Sequence, residues 1–344
     1  MFLNSWSVAL TVLSLVVVVL TAVAVRTAIR VLCWWEPSSD SNRQIRLENE
    51  TWLSSTLVQY AMGFQVLSLL LFVMAADNLS AVIRGAMCAT GALTANQFGM
   101  SVLVLKLLSA FFCGFWIVLH SFDISSERYP LLRAKYLALI CLLPLVLADV
   151  VAQTLYLAYL TPDIITSCCA VVFGEGGGDG GNLLGTVPQG EVLVVFYGTA
   201  LGLATGGHFL FRRISRWLLW LNGLLWLFFV GLSLVAITTV FSSYIYAMPY
   251  HHCPFCILKS EYHSIGIFIY GSLLPAGFLG MASALVDAIP IRLGLGEVVQ
   301  RFQKKALLVS SILMVLFVAL VSYPLCRYLL LGGEGKGARG WPFG

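Results

Sequence analysis

The sequence predicts an all-α integral membrane protein, a bundle of about eight transmembrane helices, and three observations carry that expectation. Of its 344 residues 59% are hydrophobic, only 10% are charged, and long apolar runs recur from one end to the other. Soluble globular chains carry about 25% charged residues, which cover a wet surface. This chain has too few, so the bilayer is its implied solvent. A run of roughly 20 residues at 1.5 Å per residue crosses a ~30 Å hydrocarbon core.

Hydropathy places the spans at about 8–32, 57–76, 99–121, 136–160, 192–211, 217–241, 266–288 and 307–327, with ends free to move by a few residues. Residues 1–331 read as a single polytopic domain and residues 332–344 as a flexible, glycine-rich outer tail. The amino-terminal apolar run lacks a basic n-region and is followed by Arg26 and Arg30, which favours an uncleaved first span. Pro144, Pro275 and Pro324 fall within spans, where neighbouring helices satisfy the carbonyls that proline frees.

Orientation follows from the 20 Lys and Arg residues. Arg26, Arg30, Arg43, Arg46, Arg128, Arg133, Lys135, Arg212, Arg213, Arg216, Arg292, Arg301, Lys304 and Lys305 share one face. Arg84, Lys259, Arg327, Lys336 and Arg339 share the other, and Lys106 lies inside the third span. The positive-inside rule puts the larger group in the cytoplasm, so the amino and carboxyl termini are both expected outside, on the extracytoplasmic or periplasmic side of a bacterial inner membrane. The net charge of +4 is thereby absorbed by orientation, and no nucleic-acid partner is expected.

The outer segments hold the chemistry. Cys88, Cys168, Cys169, Cys253, Cys256 and Cys326 lie in or beside them, and His251, His252 and His263 share one loop with the Cys-x-x-Cys motif, MPYHHCPFCILKSEYH. A Cys-x-x-Cys pair either forms a small-ring disulfide or binds a soft metal through two thiolates. Pro254 suits the first position of a helical turn, which would put Cys253 at its amino-terminal cap, where the dipole and adjacent histidines lower a thiol pKa. Cys253 is then the expected nucleophile and Cys256 the resolving thiol. The adjacent Cys168 and Cys169 are poor partners for each other, since a disulfide between neighbours distorts the peptide, so they are expected to exchange with Cys253 and Cys256 or to present two thiolates together. Cys88 and Cys326 are supporting candidates on the same face.

The leading expectation is a membrane thiol-disulfide oxidoreductase that moves electrons between an outer thiol protein and a membrane carrier such as a quinone. The alternative is a copper- or zinc-binding or transport protein using His251, His252, Cys253, Cys256 and His263. A non-catalytic subunit of an electron-transfer or assembly complex is the third reading, with cysteines that only brace loops. GEGGGDGG, from Gly174, reads as a connector. His120 and His208 sit near cytoplasmic span ends and read as interfacial residues. Inside the membrane, Lys106 on the third span and Asp149 on the fourth are expected to meet as an ion pair, with Gln153 one turn away. No nucleotide-binding loop, serine-hydrolase triad or zinc-protease helix motif occurs, which disfavours ATPase and hydrolase functions.

Overall fold

The computed structural model describes residues 4–35, 41–126, 129–161, 169, 173, 188–248, 251–289 and 295–330. Eight helices among them are long and apolar enough to cross a membrane, and no strand occurs among the described residues. Cys168, the GEGGGDGG segment, Arg128, Arg292 and the tail 332–344 lie outside the described residues. The chain divides into two compact units, Met1–Thr166 and Ser167–Gly344.

The first unit contains α1 (Ser5–Trp34), α2 (Asn42–Ser80), the short α3 (Ala89–Thr94), α4 (Gln97–Asp123) and α5 (Leu132–Ala158). Side-chain caps set three of the starts: Asn4 accepts from Trp6 N–H, Ser41 from Gln44 N–H and Asn96 from Phe98 N–H. α1 packs on α2 and α5, and α4 packs on α5 and α2. Asn4 donates to Asn78 at one end of the α1–α2 pair, and Arg30 bonds Glu50 at the other, which fixes the two helices antiparallel. Val17, Val58, Met62, Trp116, Tyr136 and Leu139 form the centre of this unit's core. α3 is held by the Tyr156 hydroxyl, which donates to Ala92 C=O at 3.0 Å, and by the tight approach of Gly99 to Leu93, whose carbonyl would lie 2.2 Å from a Cβ there.

α2 starts at Asn42, well before the expected 57, because the polar stretch NRQIRLENETW continues the helix past the apolar run. Hydropathy reads only the part that contacts lipid, whereas the backbone keeps its hydrogen-bond ladder into the polar region.

The second unit contains α6 (Gln189–Arg212), α7 (Arg216–Ala236), a π-helical turn (Ile237–Phe241), α8 (Ser242–Tyr246), α9 (Ile265–Leu285) and α10 (Gly296–Leu330). α7, the π turn and α8 form one continuous span. α9 packs on α10 and α7, and α6 packs on α7 and α10. Phe196 anchors an aromatic centre, with its ring 5.5 Å from Phe229, 5.2 Å from Phe241 and 6.1 Å from Phe317. The α7–α9 contact is built on small residues: a Cβ on Gly277 would lie 2.3 Å from Val230, and one on Gly280 2.3 Å from the buried Trp226 ring. With lipid outside and no hydrophobic drive between helices, such close backbone approach supplies the packing energy.

Gly280→Ala is therefore expected to destabilise the detergent-solubilised protein by about 1–3 kcal/mol through overpacking against Trp226. Gly231→Ala, where nothing lies within 4 Å of the added Cβ, is the control and should leave the thermal unfolding midpoint nearly unchanged.

Candidate functional site

The Cys-x-x-Cys loop of the second unit joins α8 to α9. Ala247 ends α8 in the left-handed conformation at φ 53°, and His263 and Ser264 take the same conformation, also at φ 53°, just before α9. Between these bends, Cys256–Leu258 and Ser260–Tyr262 form two single 3-10 turns. Lys259 N–H donates to Cys256 C=O, closing the first turn at 3.0 Å.

The Sγ atoms of Cys253 and Cys256 lie within 4.8 Å of each other. Both residues are buried, Cys253 at 0% exposure and Cys256 at 5%. Two tyrosines hold the turn between them: the Tyr246 hydroxyl donates to Cys253 C=O and the Tyr270 hydroxyl donates to Pro254 C=O at 2.7 Å. Tyr262 packs edge-on against Tyr246 with ring centroids 4.5 Å apart. Its phenol pKa lies above the ordinary value, first through burial and then because negative charge on Cys256 and Glu261 disfavours the phenolate. On the other side, Gly266 of α9 touches the loop so closely that a Cβ would lie 2.9 Å from the Ile257 carbonyl.

His252 is the imidazole whose chemical state is fixed by geometry. Its Nδ1 lies 3.2 Å from Thr238 C=O, and a carbonyl only accepts, so Nδ1 carries a proton and Nε2 is the atom that holds the lone pair in the neutral imidazole. The π turn offers this carbonyl: a π bulge loosens the regular i to i−4 ladder, and Thr238 C=O also accepts from Ser242. A backbone carbonyl behind an imidazole is the arrangement that orients metal-ligating histidines. His251 turns elsewhere, with its ring edge-on to Tyr246 at 4.4 Å and its Nδ1 4.0 Å from Cys169 Sγ. No histidine joins Cys253 and Cys256 in a set of ligand atoms all within 4.8 Å among the described residues. His263 marks the bend before α9.

The expected helix cap at Cys253 is absent. Pro254 and Phe255 form a turn, and the short 3-10 helix begins at Cys256 with Phe255 as its cap. A proline can open a helical turn, but three residues of 3-10 helix give only a weak dipole. Burial removes a second support for Cys253 as a nucleophile, since reactive thiols need contact with their partner.

Cys169 is buried and meets His251, as described; Cys326 faces outward on α10. Cys88, in the first unit, is buried at 1% exposure immediately before α3.

Inside the first unit, Lys106 Nζ reaches Asp149 Oδ2 at 3.1 Å, with both side chains buried. Lys106 also donates to Ser68 at 2.7 Å, and Gln65 donates to the same Asp149 oxygen at 2.8 Å. Ser14 donates to Gln153, so the polar cluster draws on α1, α2, α4 and α5. Gln65, Ser68 and Ser14 were not legible as partners, because single polar residues in apolar helices carry no sign of the direction they face.

No protein-family model, no curated protein and no solved structure matches this chain.

Lys106→Met alone is expected to destabilise the protein by about 3–5 kcal/mol, since it leaves a buried carboxylate without its counter-charge. The Lys106→Met/Asp149→Leu double variant should recover most of that loss, and thermal unfolding in detergent reads both.

Proposed function

We propose that this chain is a membrane protein that binds a soft metal ion, most simply Cu(I), through Cys253 and Cys256. The observation that carries the reading is the pair of buried sulfurs held within 4.8 Å by a turn fixed through its own carbonyls. Two thiolates at ~2.3 Å from one ion stand no more than ~4.6 Å apart, which this spacing accommodates with little movement. Thiolate ligands favour Cu(I), which accepts low coordination numbers. A closed structural zinc site takes four ligands, more than the two that the loop brings together.

Binding releases the two thiol protons as the sulfurs become thiolates, so affinity rises with pH. His252 Nε2 would add a third bond only after movement of the loop, since among the described residues no histidine nitrogen lies within 4.8 Å of both sulfurs. The same burial that keeps the sulfurs from a protein-sized thiol partner suits an ion, which needs little room. Eight apolar helices provide the bilayer environment, and the distribution of Lys and Arg supports a loop facing the outer side of the membrane, consistent with a bacterial inner membrane.

Thiol-disulfide exchange is the second reading, favoured by the same sulfur separation. There the dithiol would close to a disulfide, passing two electrons and two protons to an acceptor such as a quinone, which becomes a quinol. Opening of the tyrosine-held turn would have to precede attack of a partner dithiol on that disulfide, which returns to the dithiol as the partner is oxidised to its own disulfide.

Metal analysis of protein purified anaerobically after Cu(I) loading separates the two. The proposal expects about one copper per chain, lost in Cys253→Ser and Cys256→Ser and weakened in His252→Ala. Copper-free wild-type protein, together with a mixed disulfide trapped on Cys256→Ser, would reject metal binding in favour of exchange.

A further inference from the structure

A second polar centre lies in the first unit. A cavity of about 260 Å³ opens where α2, α4 and α5 come together, with His120, Lys135, Thr51, Ser55, Trp35 and Trp52 in its wall. Charge patterning groups Lys135 with the loop residues, yet it is 1% exposed, in the first turn of α5. Asp123, fully buried, accepts from Lys135 Nζ at 2.8 Å and from Leu131 N–H at 3.0 Å. The pair is locked from behind, since Trp116 Nε1–H donates to Lys135 C=O and the Trp116 ring stacks on His120 at 5.1 Å, 13° from parallel.

The hydrogen-bond directions in this centre leave donors over. A lysine ammonium only donates, so His120 Nδ1, 3.5 Å from Lys135 Nζ, is the acceptor and the imidazole proton sits on Nε2. That N–H has no acceptor among the described residues. Lys135 spends one N–H on Asp123 and one on His120, leaving a third. Two donors beside a cavity call for an acceptor oxygen, and the charge balance defines its type. Asp123 already neutralises Lys135, and Glu48 adds a carboxylate to the wall, so a phosphate or carboxylate ligand would meet repulsion. A neutral carbonyl would not. Trp35 and Trp52 supply flat apolar surface, and the volume, just below the ~300–1,000 Å³ usual for ligand pockets, suits a single ring.

We infer that this cavity binds the headgroup of a lipid-soluble molecule whose flat ring carries carbonyl oxygens, the chemistry of a quinone, with His120 Nε2–H and Lys135 as the carbonyl donors. The inference is independent of the cysteine loop and includes no electron transfer.

Equilibrium dialysis of a short-chain benzoquinone against the full chain in lipid nanodiscs tests it. Saturable binding is expected, with the dimethoxybenzene analogue, which lacks the carbonyls, bound roughly tenfold more weakly. His120→Phe keeps the ring stacking and loses the N–H, and should weaken the quinone by a similar factor. Thr56→Trp, at an exposed rim position of α2, should block the cavity without touching the buried pair. The Cys253→Ser/Cys256→Ser chain should bind as wild type does, so failure of the metal proposal leaves this result intact. Absence of saturable binding, equal affinity for the dimethoxy analogue, or unchanged affinity in the Thr56→Trp variant would show that the cavity holds only water.

Discussion

Inside hydrocarbon a polar group has no water to turn to, and the first unit is organised around that constraint. Lys106 and Asp149 meet at 3.1 Å, and Ser68 and Gln65 fill further sites on the same two groups. An unpaired charge at this depth costs several kcal/mol on insertion, so each of these residues constrains the rotation of the helix that carries it. Once α2, α4 and α5 are turned to bring the four side chains together, the remaining faces of those helices are committed as well. Asp123 and Lys135 repeat the device nearer the helix ends, and there His120 and Lys135 line a cavity.

The second unit meets the same constraint with fewer charges. Its interior is aromatic, built on Phe196, Phe229, Phe241 and Phe317, and its helices approach through Gly223, Gly277 and Gly280. One group of polar contacts surrounds the loop that carries Cys253 and Cys256. Tyrosine hydroxyls reach carbonyls that the turn leaves without a helical partner, and the π turn supplies the carbonyl that sets the His252 tautomer. These contacts hold the turn that carries the two sulfurs, the feature on which the proposed ion capture rests.

The candidate site was partly legible. The spacing of Cys253 and Cys256 announces two neighbouring sulfurs, and the histidines beside them announce a shared loop. Their burial was not legible, because it depends on Tyr246, Tyr262 and Tyr270, whose place over the loop follows from how α8 and α9 approach it. His120 shows the limit most clearly. By position it reads as an interfacial residue, whereas Trp116 and Lys135 make it the oriented wall of a cavity.

By itself the sequence determined the solvent and the number of long apolar helices, because hydropathy acts locally and survives any arrangement of the helices. Only the tertiary structure decided that α2 runs on from Asn42, that a short α3 forms, that Cys253 is no helix cap, and which of the histidines face sulfur, carbonyl or cavity. Those outcomes depend on helix rotation and on hydrogen bonds between residues far apart in the chain. A one-residue change of register turns a side chain by about 100° on an α-helix, and no local pattern in an almost uniformly apolar run records that angle.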